Sequence, residues 1–509
     1  MTIYNINLGI GWASSGVEYA QIYRAKLLRS VGLEAKFIFM DFISADNIEH
    51  LTKNIGFEDS EVIWLYQYFT DVKIAPTTYT LAHVLASFDR EPLEIVRNPE
   101  NKTFRVMFGD NDFVTCYACD MDNELIERAE IVSRGCLIQK EYYTYTKNFI
   151  EYYSPVDGRA RLYQRTWLNE DGSVAYEEII DEVDGKQETQ VYRFPDQVFY
   201  SKQEFVAHFM RSLKLTDKDL LILDRETDIG QPIFANKGAA KLAVIVHAEH
   251  FSENPAEKDY ILWNNYYEYQ FEYAEEVDYI INSTDAQTEL LKEQFAQYTN
   301  IKPKEILTIP VGSLDQLRRP EGPRKPFALM TASRLASEKH IDWLIHSVVK
   351  AHEQLPEITF DIYGTGGEEA MLRKLIADLK AEDYIRLMGH HHMADIYKNY
   401  SVYLAASTSE GFGLTLLEAV GSGLPIIGFD VRYGNPTFIR DGENGYLIPK
   451  ARPDYLDAMT TEYAEKIVQL LTQHSQEDLS RVSYEVAEPY LDEHIAQRWS
   501  DLVRSAQTK

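Results

Sequence analysis

The 509-residue chain is short of cysteine, of long apolar runs and of positive charge, and each shortage closes off a class of protein. Three cysteines (Cys116, Cys119, Cys136) are too few, and odd in number, for a disulfide-stapled secreted fold. Cys116-Tyr117-Ala118-Cys119 has C-x-x-C spacing, but it lies in a strand-like run with no second pair to complete a zinc site, so it reads as buried structural thiols. No uninterrupted apolar stretch reaches membrane-spanning length. The start, Met1-Thr2-Ile3-Tyr4-Asn5, is neither basic nor followed by a signal-like core, and the expectation is a cytoplasmic protein. With 51 basic against 80 acidic side chains the net charge is −29, which removes nucleic acid as a general partner and speaks against polyanionic acceptors. A metal site is not expected either. Asp120-Met121-Asp122 reads as an exposed acidic turn, and the consecutive His390-His391-His392 cannot all face one ion from a strand or tight turn.

What the chain does hold is aromatic surface (34 Tyr, 23 Phe and 6 Trp) and length enough for two or three domains. Ile3 to Ile10 reads as a buried strand, Gly9 to Gly16 as a loop, Val17 to Arg29 as a helix and Ala35 to Met40 as the next strand, which is a βαβ opening. From about 75 to 200 the texture alternates. Tyr-rich segments such as Thr103–Phe108, Phe113–Cys119, Ala160–Leu168 and Gln187–Phe194 are cut by Gly109-Asp110-Asn111-Asp112, Asp157-Gly158, Glu170-Asp171-Gly172 and Asp184-Gly185. That predicts an antiparallel meander inserted into the first α/β unit. Ser201-Lys202-Gln203-Glu204 reads as a capping box opening the next helix, followed by strands at Leu220–Leu223, Leu242–Val246 and Val277–Ile281. Ile301 to Gly312 reads as a crossover linker. A second βαβ series follows, with strands at Phe327–Thr331, Thr359–Tyr363, Ile385–Met388, Val402–Ala406 and Pro425–Phe429, and helices at about 453–472 and 476–506 close the chain. The expected architecture is α/β: two doubly wound Rossmann-like domains facing a cleft, with an antiparallel β-sheet insertion in the N-terminal one. The boundaries expected are 1–74 with 201–312 (acceptor side), 75–200 (inserted sheet), 313–485 (nucleotide-sugar side) and 486–509 (a helix crossing back to the first domain).

One stretch carries most of the chemistry. Ser409-Glu410-Gly411-Phe412-Gly413-Leu414 follows an apolar strand and opens a helix that closes at Gly421-Ser422-Gly423, with a second carboxylate at Glu418. A strand, a glycine-flanked turn and a helix N-terminus aim free N–H groups and a positive dipole end at whatever docks there. Carboxylates repel phosphate but accept hydrogen bonds from hydroxyls, so this end suits a ligand with both phosphates and sugar hydroxyls, a nucleotide sugar. Arg334 and Lys339, on the loop after the strand at Phe327–Thr331, supply a fork and a point charge for one diphosphate. Gly364-Thr365-Gly366 is a further strand-to-helix turn. Met388 and Gly389 end a strand where backbone groups read a nucleobase edge, and Gly16, with Val17, Glu18 and Tyr19, lets backbone approach the diphosphate. His247 ends the strand at Leu242–Val246, in reach of a sugar hydroxyl or, through its carbonyl, of a cationic sugar centre.

The ordered set of Gly16, Pro310-Val311-Gly312, Arg334 with Lys339, Gly364-x-Gly366 and Glu410 with Glu418 resembles the retaining nucleotide-sugar glycosyltransferases of family four, which have a GT-B fold. That resemblance implies that Glu410 holds sugar hydroxyls with Gly411, Phe412, Gly413 and His247, that Arg334 and Lys339 hold the diphosphate, and that Glu418 holds the ribose with Leu414 nearby. Two glycines usually precede the helix at the N-terminal loop; here the pattern is Ser15-Gly16-Val17-Glu18. More narrowly, Asn5 to Glu18, Ile63 to Asp71 and the β insertion look like the accessory-secretion glycosyltransferases of Gram-positive bacteria. Those enzymes move N-acetylglucosamine (GlcNAc) from UDP to Ser/Thr of serine-rich repeat adhesins, beside a non-catalytic, GtfB-like paralogue. The implied donor is UDP-GlcNAc, the implied chemistry metal-independent and front-face retaining, and the implied setting a cytoplasmic hetero-oligomer with peripheral membrane contact. Two rival readings are a wall teichoic acid α-glycosyltransferase, which also carries a β insertion, and a non-catalytic acceptor-binding paralogue. The four retained charged residues argue against the second.

Overall fold

The structure is a computed structural model that describes residues 1–12, 15–183, 185–252, 260–449 and 456–508. Ala13 and Ser14 of the first glycine loop, Asp184 of one turn signal, and the start of the helix expected from about 453 lie outside the described residues. Contacts divide the chain into two units, Met1–Ile22 with Leu33–Leu242, and Tyr23–Gly32 with Ala243–Lys509.

In the first unit Ile3–Asn7 (β1), Ala35–Phe39 (β2) and Val62–Trp64 (β3) are followed by ten antiparallel strands, from Glu94–Asn98 (β4) to Val198–Phe199 (β13), and then by Leu220–Leu223 (β14). The order β14-β1-β2-β3 is parallel, with Ile3 opposite both Leu220 and Ala35. Leu220–Leu223 is apolar throughout and buried throughout, as a parallel strand covered on both faces must be. The ten strands form a single meander in sequence order, because period-two hydrophobicity separated by turn residues leaves no other pairing so local. Val114, Cys116 and Ala118 of one strand are buried with Phe104, Val106, Ile126 and Ala129, under Leu81 and Val84 of a short helix. The alternation also corrects the cysteine reading. Cys116 is buried and its thiol pushed up to about 12 by that burial, but Cys119, three residues on, faces the other side and is half-buried, and Cys136 is exposed.

Much of the aromatic content joins the inserted sheet to the parallel one. Trp64 and Trp167 lie 5.3 Å apart, Phe42 and Phe149 5.6 Å, and Tyr66 and Trp167 5.9 Å, while the buried Tyr176 hydroxyl donates to the Tyr66 carbonyl at 2.7 Å. Rings at these spacings add to their area burial about 0.5–1.5 kcal/mol per pair.

In the second unit Lys241–Val246 (β15, whose last four residues fall here), Tyr279–Asn282 (β16) and Ile306–Thr308 (β17) are parallel in the order β17-β16-β15. β17 lies inside the stretch expected to be a crossover linker, so that stretch is a strand with short flanks. A second sheet comprises Ala328–Ala332 (β18), Thr359–Tyr363 (β19), Ile385–Gly389 (β20), Val402–Leu404 (β21), Ile426–Asp430 (β22) and Gly445–Pro449 (β23), parallel in the order β20-β19-β18-β21-β22-β23. Its two faces bury alternate residues: Leu329 on one side, Ala328 and Met330 on the other. The closing helices are Leu456–Gln473, Gln476–Ala487 and Asp492–Thr508. The long final helix expected from 476 is broken at Glu488–Tyr490, where Pro489 removes a backbone donor. Ser201 caps Lys202–Ser212 through the Glu204 amide, but the Glu204 carboxylate returns to the Tyr200 amide at 2.8 Å rather than to Ser201. No helix among the described residues is long and apolar enough to cross a membrane.

Candidate active site

The loops that follow β18, β19, β20, β21 and β22 all leave parallel strands at their carboxyl ends, where open α/β sheets gather ligand-binding residues. The loop after β18 is stitched to the one after β19: the Ser333 amide donates to the Tyr363 carbonyl at 3.0 Å and the Leu335 amide to the Thr365 carbonyl at 3.0 Å. Gly364, at φ 128°, makes this approach feasible, since a Cβ there would stand 1.9 Å from the Ser333 carbonyl oxygen. Lys339, carried on this pinned loop, reaches the loop after β21 and pairs with Glu410, Nζ to Oε2 at 2.9 Å, both side chains about one-quarter exposed. Gly413, in the left-handed region at φ 89°, then turns the chain into the helix Leu414–Gly421. A cation, a carboxylate and a helix N-terminus therefore converge. Leu414 packs against the Pro310–Gly312 segment: a Cβ on Gly312 would meet Leu414 Cδ2 at 2.3 Å.

The His247–Phe251 loop after β15 sits directly on this assembly. A Cβ on Gly411 would lie 2.5 Å from the His247 carbonyl oxygen and 3.2 Å from Ala248 Cα, so backbone meets backbone there with no clearance. It is the main-chain carbonyl of His247 that stands beside the Glu410–Gly411 turn, while its amide donates to the Tyr267 hydroxyl oxygen at 3.1 Å.

Other expected site residues are placed differently. Arg334 does not meet Lys339 or Glu410. Its side chain is 71% exposed and pairs with Glu338 at 2.7 Å, an exposed ion pair of small energy whose guanidinium is readily exchanged to an anion. Glu418 accepts from the Tyr397 hydroxyl at 2.8 Å and from Tyr23; burial raises its carboxyl above the ordinary range against these donors. Met388 is half-buried against the sheet's core, and the Gly389 carbonyl accepts from the Gly364 amide at 2.8 Å. In the first unit Gly16 and Tyr19 are exposed and Val17 half-buried, whereas Glu18 is 3% exposed. Its carboxylate accepts from the Ser15 amide at 2.6 Å and from Asn7 at 3.1 Å, and pairs with Arg225 at 3.2 Å. Ser15-x-x-Glu18 is thus one arm of a capping box, and Glu18 is spent on holding the helix start rather than presented to a ligand. Asp120 accepts from the Asp122 and Asn123 amides in a turn, and His390, His391 and His392 are exposed.

Glu127, remote in sequence, meets the i,i+4 pair of Asp46 and His50 in the first unit: the three have ligand atoms within 4.8 Å of one another. His50 Nδ1 lies 2.8 Å from Asp46, and this hydrogen bond raises the imidazole's pKa. A raised histidine stabilises the fold fully below its unfolded value of about 6.5 and loses that contribution as pH rises through the folded value. His50→Gln is therefore expected to cost stability at pH 5.5 and much less at pH 8.5 in paired denaturant titrations; equal losses at both would remove the charge from the account.

Two parallel α/β sheets, an antiparallel insertion, and Lys339 and Glu410 on loops at the carboxyl ends of neighbouring strands define a glycosyltransferase of the GT-B fold. The chain matches two family descriptions, the GtfA extended beta-sheet domain over residues 96–196 and Glycosyl transferases group 1 over residues 326–473. A UDP-N-acetylglucosamine–peptide N-acetylglucosaminyltransferase GtfA subunit from Streptococcus pneumoniae is 57% identical over 504 residues, 99% of either chain. The crystal structure of the pneumococcal O-GlcNAc transferase GtfA in complex with UDP and GlcNAc superposes with a TM-score of 0.94 at 55% identity, covering 100% of this chain and 99% of that one. A GtfA/B complex structure matches equally, with a TM-score of 0.94 at 55% identity and full coverage of both chains. The chain belongs to the GtfA subunit family of peptide N-acetylglucosaminyltransferases.

Proposed function

We propose that this chain transfers N-acetylglucosamine from UDP-GlcNAc to serine and threonine hydroxyls of a serine-rich repeat acceptor, with retention and without a metal, in complex with a GtfB-type paralogue. The observation that carries the reading is the Lys339–Glu410 pair at the start of the Leu414–Gly421 helix, in a chain whose full-length relatives are GtfA subunits. As the bond from C1 to the diphosphate oxygen lengthens, negative charge grows on that oxygen; Lys339 and the helix end meet it, and Arg334 exchanges Glu338 for it. The acceptor oxygen bonds C1 from the same face, and its proton passes to a diphosphate oxygen. Glu410 grips hexose hydroxyls, exchanging its Lys339 contact for them as the cation turns to phosphate. The chain works in the cytoplasm, where nucleotide sugars are made, with peripheral contact at the membrane's inner face.

Intact-mass analysis of a Ser-rich acceptor co-expressed with this chain and a GtfB-type partner tests this. Increments of one N-acetylhexosamine are expected, lost when the chain is omitted. Hexose increments would overturn the donor, and an unmodified acceptor beside a glycosylated poly(polyol phosphate) would overturn the acceptor.

A further inference from the structure

Tyr433 stands 23 positions beyond Glu410 in sequence, in the loop after β22, yet it holds both ends of that residue's surroundings. Its amide donates to the Glu410 carbonyl at 2.6 Å, the Gly434 amide donates to the same oxygen at 2.8 Å, and the Glu410 amide donates to the Arg432 carbonyl at 3.2 Å. Both backbone polar groups of Glu410 are thereby committed to this one loop. The Tyr433 side chain is 1% exposed and points toward the other side of the site. Its hydroxyl donates to Glu249 Oε1 at 2.6 Å, and its ring stacks on His250 with centroids 5.9 Å apart and planes 17° from parallel.

His250 is itself clamped. It is fully buried, its Nε2 lies 2.6 Å from Gln294 Oε1, and its Nδ1 lies 3.2 Å from Gln287, whose amide also donates to the Ala248 carbonyl at 2.8 Å. Burial lowers the imidazole to about 4, so it is neutral, with Nε2 donating to Gln294 and Nδ1 accepting from Gln287. The Ala248–His250 segment is thus rigid, and its neighbour His247 is the residue whose carbonyl abuts Gly411.

We infer that Tyr433 is a positioning residue for Glu410: it ties the Glu410 backbone to the Glu249–His250 pair, and so sets where the Glu410 carboxylate and the His247 carbonyl stand relative to one another. The inference rests on reading Glu410 as the sugar-holding carboxylate. A ring alone would fill the buried space; the hydroxyl adds a charge-assisted bond, short and directional, that a purely space-filling residue does not need. Since the anchoring acts on the hexose grip and not on the diphosphate, its loss weakens the transition state more than the nucleotide complex.

The test is Tyr433→Phe in the complex with the GtfB-type partner, with kcat and KM for UDP-GlcNAc on a Ser-rich peptide, UDP affinity by calorimetry and the thermal midpoint. Expected is a fall in kcat of about tenfold with UDP affinity held within about twofold. Glu249→Ala reproduces it, and Glu249→Gln, which keeps an acceptor oxygen for the hydroxyl, recovers most of the rate. In a Glu410→Gln background Tyr433→Phe adds no further loss. A normal kcat, a parallel drop in UDP affinity and thermal midpoint, or a multiplicative effect on top of Glu410→Gln would each overturn the inference. Full activity of Glu410→Gln alone would instead overturn the reading of the site.

Discussion

Glu410→Ala lowers glycosyl transfer by a hundredfold or more while leaving the fold intact, and Lys339→Ala does the same. The expected size is that of removing one preorganised group aimed at developing charge, about 2.7–4 kcal/mol of barrier. The structure makes the two losses separable. Lys339 and Glu410 now satisfy each other at 2.9 Å, so each single variant strips a partner from the other as well as from the substrate. Lys339→Ala is expected to weaken UDP binding in calorimetry, because a cation facing the diphosphate is lost. Glu410→Ala is expected to bind UDP at least as tightly as the parent, because a carboxylate that competes for Lys339 is gone, and to fail only in turnover. If Glu410→Ala turned over normally, or if both variants lost UDP affinity alike, the division between phosphate and hexose duties would fail. Arg334→Ala belongs with Lys339→Ala: among the described residues its exposed side chain pairs with Glu338 alone, so its loss is expected to fall on turnover and nucleotide affinity, with little change in stability.

How far this was readable in advance depended on the kind of signal. Thr359–Tyr363 and Leu220–Leu223 are strands at the boundaries expected, since a buried apolar run between turn residues admits little else. The meander was legible for a different reason: period-two alternation is plain in strands such as Asp112–Asp120 and Val174–Val183, and turns fall at Asp157-Gly158 and Asp171-Gly172. Ile306–Thr308 and Gly445–Pro449 were not, being three and five residues long, beside prolines or opened by glycine, and held by neighbours rather than by local preference. At the site, Lys339 and Glu410 could be brought together because both sit in loops after strands that a doubly wound sheet places side by side. The assignment of Glu18 to a ligand missed the Ser15-x-x-Glu18 cap, a signal present in the sequence. Tyr433 gave no local signal at all. Its role depends on the order β21-β22 and on a loop from another sheet, and only the folded chain supplies both. Family membership separates the rival polymer-glycosylating class, which composition could only disfavour.

The inserted sheet carries its own vulnerable point, and Arg165→Ala is the change expected to expose it. Arg165 is 6% exposed, Glu151 4% and Glu178 fully buried. The guanidinium meets Glu151 at 2.8 Å and Glu178 at 3.2 Å, and lies 3.4 Å from the centre of the Phe42 ring. Every remaining lone pair of note has a donor: Tyr142 at 3.0 Å and Tyr153 at 2.7 Å on Glu151, Trp167 and Thr189 each at 2.7 Å on Glu178. Burial by itself raises the Glu151 carboxyl, yet Arg165 and the two tyrosine hydroxyls hold it below its ordinary value. A depressed carboxylate contributes stability above its unfolded value and loses it as pH falls through the folded one. Removing Arg165 leaves two carboxylates buried without a cation, and the expected cost is about 3–5 kcal/mol. The cost should shrink when the charges leave together. Arg165→Met with Glu151→Gln and Glu178→Gln keeps an acceptor oxygen for the tyrosine and tryptophan donors, lets the Thr189 hydroxyl turn to accept from the new amide, and buries no net charge, so the triple variant is expected to be more stable than Arg165→Ala alone. Urea unfolding of the two at pH 7.5 decides it. A triple variant no better than the single one would mean that the geometry of the fork, and not the burial of uncompensated charge, is what the sheet depends on here.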